Sequence, residues 1–272
     1  MKIALVQPFV KFNHPDENLA SAQKLIESLE DKDIDLIVLP EMFATGTCSE
    51  PKRIVPAAKQ AFDFMQFTAS KHNCALCGSV AVEENSKYFN RLYFITPDAD
   101  IFHYDKHHLF SFAGENENFT AGKERVIVTW RGWKLLLQVC YDLRFPIFSR
   151  NHIVHKNITP NGDNPAVLQE AEYDAAIYVA SWPDSRIIVW DTLLKARAIE
   201  NQCYTIGVNM AGNNSSEEKM LNYNGHSAVI NYRGEIVTTC NTEGKEDMRI
   251  AELNIEKLYG FRAKFPTLPD GD

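Results

Sequence analysis

No stretch of this 272-residue sequence is apolar for long enough to cross a bilayer. Basic residues are in deficit, since 28 lysines and arginines face 36 acids and leave a net charge of −8. A nucleic-acid binder needs a basic footprint, so that class is excluded. Acidity of this size favours solubility instead. The chain shows no glycine-rich phosphate loop, no internal repeat and no domain linker. Its first residues, MKIALVQPFV, turn polar at Lys11-Phe12-Asn13, without a signal-peptide core or small-residue cleavage site. The expectation is a cytoplasmic protein without membrane association. Apolar residues make up 45% of the chain, enough for a sizeable core.

Cysteine is sparse. Six thiols (Cys48, Cys74, Cys77, Cys140, Cys203 and Cys240) in a chain this long are no disulfide framework. Cys74-x-x-Cys77 looks like half a metal or redox motif, but no second CxxC or histidine pair completes it. The pair reads as two buried thiols in a strand.

Periodicity places strands at Ile3–Pro8, Asp35–Pro40, Cys74–Val82 and Leu92–Pro97, with helices at Asp16–Leu29 and Ala57–His72. The second half repeats the theme. Val126–Trp130 and Trp133–Cys140 flank the turn Arg131-Gly132. Pro146–Arg150 starts a helix, Ala175–Ala180 and Cys203–Asn209 are strands, and Ser185–Asn201 is a helix with Trp190, Leu193, Leu194 and Ile199 inward. Gly225–Tyr232 and Glu235–Thr239 form a hairpin. Such alternation implies an α/β fold of two mixed sheets with helices outside. The turn-rich stretch His152–Glu172 reads as an excursion from one domain.

Three segments put a reactive residue at the end of an apolar strand, in LIVLPEMF, YDKHHLF and LLLQVCYDLRFP. Ligands of α/β sheets bind at the carboxyl edge of the strands. A thiol needs a base or a nearby cation to become a good nucleophile, and a tetrahedral intermediate needs donors for its oxyanion. Cys140, Glu41 and Lys106 together supply these roles. Singly, each has a structural reading: a core thiol, a solvated turn acid, a surface lysine.

LPEMF, YDKHHLF and VCYDLRFP, in this order and spacing, resemble the signatures of the nitrilase superfamily of carbon–nitrogen hydrolases, and the likeness runs from about Lys2 to Pro266. The resemblance implies one domain over residues 1–272, folded as a four-layer αββα sandwich with a C-terminal extension at 255–272; the inserted loop at 152–172 departs from the family's short link and reads as a surface insertion or, alternatively, as a lid or oligomer contact. It implies a catalytic triad of Glu41, Lys106 and Cys140, with a second glutamate at Glu115 or, alternatively, Glu117. A second carboxylate would hold Lys106 and tune Glu41 as a base. The oxyanion donors would be Lys106 and the backbone N–H of Tyr141. Asp142 and Arg144 read as a buried ion pair behind Cys140. No metal or organic cofactor is implied.

PheAlaGlyGluAsnGlu from Phe112, Trp130-Arg-Gly-Trp133, Tyr178-Val-Ala-Ser-Trp182-Pro183 and Ala196–Gln202 resemble the omega-amidase branch. That branch implies hydrolysis of 2-oxoglutaramate or 2-oxosuccinamate to the dicarboxylate and ammonia, as in methionine salvage. Arg144, Arg186, Phe43, Trp182 and Phe110 are candidates for holding such a substrate, although Arg186 reads more simply as the start of a surface helix. The resemblance also suggests a homodimer, and Tyr259–Pro269 reads as an extended, exchangeable tail. The rivals are another amidase, an N-carbamoyl amidase or a nitrilase on the same fold, a catalytically inactive binding module, and a Cys–His hydrolase using His107, His108 or His226.

Overall fold

The computed structural model describes residues 1–29, 32–158, 166–216 and 219–271. Side-chain alternation sets its layers. In β1 (Lys2–Gln7), Ile3 and Leu5 face one way and Ala4 and Val6 the other, and all four are buried. Helix α1 (Pro15–Glu27) buries Leu19, Ala22 and Ile26 at helical spacing on the Ala4 side. Strand β2 (Leu36–Val38) runs parallel to β1. Helix α2 (Ala58–His72) turns Ala61, Met65 and Ala69 to the same layer and ends at Asn73 in the left-handed region, φ 49°. Strand β3 (Ala75–Glu84) is parallel to β2, and β4 (Lys87–Ile95) and β5 (Ile101–Asp105) follow antiparallel. A single turn, α3 (Glu115–Asn118), precedes the second half.

There, β6 (Ile127–Trp130) and β7 (Trp133–Val139) form a hairpin, and β8 (Ile153–Ile158) pairs with β9 (Ala166–Ala171). Strand β10 (Ala175–Ala180), helix α4 (Ile187–Glu200) and strand β11 (Tyr204–Asn209) make a parallel crossover. The hairpin of β12 (Ala211–Ser216) and β13 (Lys219–Asn224) projects from the end of β11. Strands β14 (Ala228–Ile230) and β15 (Ile236–Thr239) close this sheet, β16 (Asp247–Glu252) returns to pair with β1, and α5 (Ile255–Lys264) ends the fold.

The two six-stranded sheets run β16-β1-β2-β3-β4-β5 and β15-β14-β11-β10-β7-β6. Each is parallel at its centre and antiparallel at its edges. Between them lie Ile3, Leu5, Leu36 and Val38 from one sheet and Leu135, Leu137, Ile177 and Val179 from the other. A second core fills the space under α1 and α2, and a third, with Trp182, Trp190 and Leu194, lies under α4. This is the four-layer αββα sandwich that the family resemblance implies, with the two mixed sheets and outer helices that the alternation suggests. Cys74 and Cys77 are both buried in it, Cys74 under the helices and Cys77 between the sheets.

Several local expectations fail. Residues 152–172 are no plain loop, because their described parts form the β8–β9 hairpin. Pro146–Arg150 makes only a turn, where the Ser149 hydroxyl takes the Phe145 and Pro146 carbonyls that a continuing helix would use. Ile199 is 53% exposed and lies over Gly234 instead of the core. Tyr259–Lys264 is helical, not extended. Asn254 accepts from the Lys257 N–H at 2.8 Å as the cap of α5, and Arg262 docks the helix on buried Asp174 at 2.9 Å.

Burial also makes stability pH-dependent. It pushes the thiols of Cys74, Cys203 and Cys240 up to about 12 from an ordinary 9.0, and raises Cys77 for the same reason. The unfolded chain therefore loses these protons first, from pH 9 upward, while the folded chain keeps them. Stability is fully present below that point and falls as pH rises toward 12, by about 1.4 kcal/mol per pH unit for each thiol that only the unfolded chain has ionised. Urea midpoints measured under reductant should hold steady up to about pH 8 and drop steeply by about pH 10.5. A midpoint that stays flat through that range contradicts the assignment.

Candidate active site

Four strands deliver the site from their carboxyl ends. Glu41 follows β2 through Leu39-Pro40, Lys106 follows β5, Cys140 follows β7 and Ser181 follows β10. All four line one cavity of about 320 Å³. This is the carboxyl edge of both parallel sheet centres, where the sequence pattern places Glu41 and Cys140.

Cys140 leaves β7 in the left-handed region, φ 45°, and opens the 3-10 turn Cys140–Arg144. A non-glycine residue in that region is held there by its surroundings. Asp142, fully buried, does much of the holding. One of its oxygens accepts the Val139 N–H at 3.0 Å and the Tyr104 hydroxyl at 2.7 Å. The other accepts the His108 backbone N–H at 2.9 Å and lies 2.8 Å from His108 Nδ1. Tyr104 OH also accepts the His107 N–H at 3.1 Å. One carboxylate thus ties the turn carrying Cys140 to the loop carrying Lys106.

The Lys106 ammonium, 3% exposed, lies between two acids. It donates to Glu41 Oε1 at 3.0 Å and to both Glu115 oxygens at 3.0 and 2.8 Å. Glu115 Oε2 also accepts the Phe110 N–H at 2.6 Å. Glu41 Oε1 accepts Asn90 Nδ2 at 2.7 Å, and Oε2 accepts the Ser181 N–H at 2.9 Å. Asn90 is itself oriented by the Ser79 hydroxyl, which in turn accepts the Met42 N–H. Every oxygen of the Glu41 carboxylate therefore has a fixed donor.

Burial alone would depress the Lys106 ammonium, but Glu115 and Glu41 outweigh it and hold its pKa well above the ordinary lysine value. Burial raises the Cys140 thiol well above its usual range, and Glu41, with which it shares a hydrogen bond, raises it further against the pull of Lys106. The resting thiol is neutral, with a carboxylate positioned to take its proton.

Glu115, not Glu117, reaches Lys106; Glu117 lies exposed over Gly114. Tyr141 lines the cavity, and as the second residue of its turn its N–H precedes the first intrahelical donor. Trp182 and Phe110 line the cavity too. Phe43 does not. Met42 sits at φ 49°, and Phe43 beyond it packs into the helix-side core against Phe64 and beside Gly78, while Met42 reaches the cavity. The expected Asp142–Arg144 ion pair is absent among the described residues. Asp142 pairs with His108, and Arg144 stacks over Trp182 at 5.3 Å and lines the cavity. Arg186, half-buried and just ahead of α4, lines the cavity as well. His107, His108 and His226 lie outside the cavity wall, bonded to Gly122 O, Asp142 and Asp191. Asn90 and the Ser181 N–H carried no signal in the sequence: one sits mid-strand, and the other is backbone.

The family model for carbon–nitrogen hydrolases matches residues 2–263, and the chain belongs to that family. Omega-amidase YafV of Escherichia coli K12 is 39% identical over 100% of this chain and 97% of its own. The 2-oxoglutaramate amidase of Bacillus subtilis is 31% identical over 98% and 96%. A solved structure of XC1258 from Xanthomonas campestris, a CN-hydrolase superfamily protein with an arsenic adduct in the active site, is 34% identical. It covers 100% of this chain and 97% of that one, with a TM-score of 0.85. These full-length likenesses make the chain an amidase.

Removing the Asp142 carboxylate should leave four buried or half-buried donors unpaired and let the two loops drift apart. Asp142→Ala should cost about 3–5 kcal/mol in urea unfolding. Its amidase turnover, measured at a temperature where it remains folded, should fall by about a hundredfold, the penalty of a reacting group displaced by an ångström. A variant with turnover near the parent's would show that Asp142 only stabilises.

Proposed function

We propose that the protein is an omega-amidase, hydrolysing the terminal amide of 2-oxo acid amides such as 2-oxoglutaramate and 2-oxosuccinamate through a thioester on Cys140. One observation carries the mechanism: Cys140, Glu41 and Lys106 line one cavity, and the buried ammonium is shared between the Glu41 carboxylate and a second one, Glu115. At rest the cluster holds one positive and two negative charges. Ionising Cys140 alone would add a third negative charge to a buried site. Passing the thiol proton to Glu41 leaves the total unchanged, so proton transfer and attack belong to one step.

The thiolate attacks the amide carbon, and the carbonyl oxygen becomes an oxyanion held by Lys106 and the Tyr141 N–H. Glu41 returns the proton to the amide nitrogen, and ammonia leaves. A water then gives its proton to Glu41 and attacks the thioester, and the thiol is regenerated as the dicarboxylate departs. Glu115 keeps Lys106 charged and in place throughout. Arg144, stacked on Trp182, provides a cation for the substrate carboxylate. The substrate class rests on the full-length likeness to the omega-amidase and 2-oxoglutaramate amidase relatives. A homodimer working in the cytoplasm is part of the same reading.

Ammonia release should be fastest with 2-oxoglutaramate, slow with glutamine and asparagine, and slower still with a simple nitrile. Cys140→Ala should abolish it. Glu41→Gln should lower turnover by about a hundred- to ten-thousandfold, the range for a general base. Equal or faster turnover of the nitrile would sink the omega-amidase reading, and release of carbon dioxide would point to a carbamoyl substrate.

A further inference from the structure

Two cations of the cavity wall are held on aromatic rings and not by acids among the described residues. Arg144 lies over the Trp182 ring and Arg186 over the Phe110 ring, each with its guanidinium carbon 5.3 Å from the centroid. All four side chains line the cavity. Among the described residues neither guanidinium forms an ion pair, in a chain where acids outnumber bases. Away from Lys106 and its acids, the other charged side chains of the wall are Glu50 and Arg53, whose charges sum to zero. An arginine held by its face on a ring keeps its N–H edge free, and that edge is a fork shaped for carboxylate and carbonyl oxygens.

Arg186 is also braced. Trp182 Nε1 donates to the Arg186 carbonyl at 2.9 Å, so the ring that carries Arg144 also holds the Arg186 backbone. Phe110, beneath Arg186, gives its own N–H to Glu115, which grips Lys106. The wall that carries the two arginines is therefore tied to the Lys106–Glu115 pair.

We infer that Arg186 is a substrate-binding residue that selects 2-oxo acid amides over 2-amino acid amides; this rests on the omega-amidase reading. Arg144 takes the substrate carboxylate. The Arg186 fork takes the neighbouring 2-oxo oxygen together with the near carboxylate oxygen. A 2-oxo group presents lone pairs to that fork. A 2-amino group in the same place is an ammonium facing two guanidiniums, with like charges opposed and the fork left without its acceptor. Glutamine is rejected at this end of the cavity, although its amide is chemically the same.

The test compares kcat/KM for 2-oxoglutaramate, glutamine and 4-carbamoylbutanoate, which keeps the carboxylate and amide but has no 2-substituent. Arg186→Gln should lose about ten- to a hundredfold on 2-oxoglutaramate, the worth of hydrogen bonds to a charged group. It should lose much less on 4-carbamoylbutanoate and least on glutamine, so the preference for the 2-oxo acid collapses. Arg186→Lys, which keeps the charge without the fork, should fall between. Equal losses on all three substrates in both variants, or a 2-oxoglutaramate rate within about twofold of the parent, overturn the inference. A parent enzyme active only on other amides would instead sink the omega-amidase reading, and this inference with it.

Discussion

A lysine ammonium buried to 3% exposure would give up its proton without compensation, and the site is organised around preventing that. Glu41 and Glu115 supply the compensation, and each is held by donors from other strands. Asn90 reaches from β4, the Ser181 N–H from the end of β10, and the Phe110 N–H from the loop after β5. The ammonium therefore fixes three loops relative to one another. It also shapes the electrostatics of the neighbouring thiol: burial raises Cys140, Glu41 raises it further, and Lys106 pulls against both.

The sandwich explains how residues so distant in sequence meet. Both sheets are parallel at their centres and end at the same edge. Glu41 and Lys106 come from one sheet, and Cys140 and Ser181 from the other. The apolar layer of Leu5, Val38, Leu137 and Val179 sets the distance between the sheets, and so the distance between Glu41 and Cys140. Close packing allows little slack in such a layer. The buried Asp142 carboxylate then couples the Cys140 turn to the Lys106 loop across the same gap.

Much of this is legible in the sequence, because strand-terminal reactive residues stand out against apolar runs. Glu41, Lys106 and Cys140 stand at strand ends in LPEMF, YDKHHLF and VCYDLRFP, and the likeness of these three segments to the family's signatures assigns both the residues and the layer order. What stays hidden has physical causes. Ser181 acts on Glu41 through backbone atoms and its hydroxyl, Asn90 is one polar residue inside a strand, and Asp142 chose His108 over the arginine two residues away. Phe43 was misplaced because the left-handed backbone at Met42 changes which side chain faces the cavity. Arg186 precedes α4, where helical periodicity says nothing about cation–ring stacking.

The central claim is covalent: the acyl group of the amide passes through the Cys140 sulfur. Intact-mass measurement after rapid acid quench of the protein with excess 2-oxoglutaramate tests it directly. The expected result is a chain heavier by the substrate less ammonia, with the added mass on the peptide containing Cys140 and none on Cys140→Ala. Ammonia release by Cys140→Ala at the parent rate, or the added mass on Cys48 instead, would contradict it.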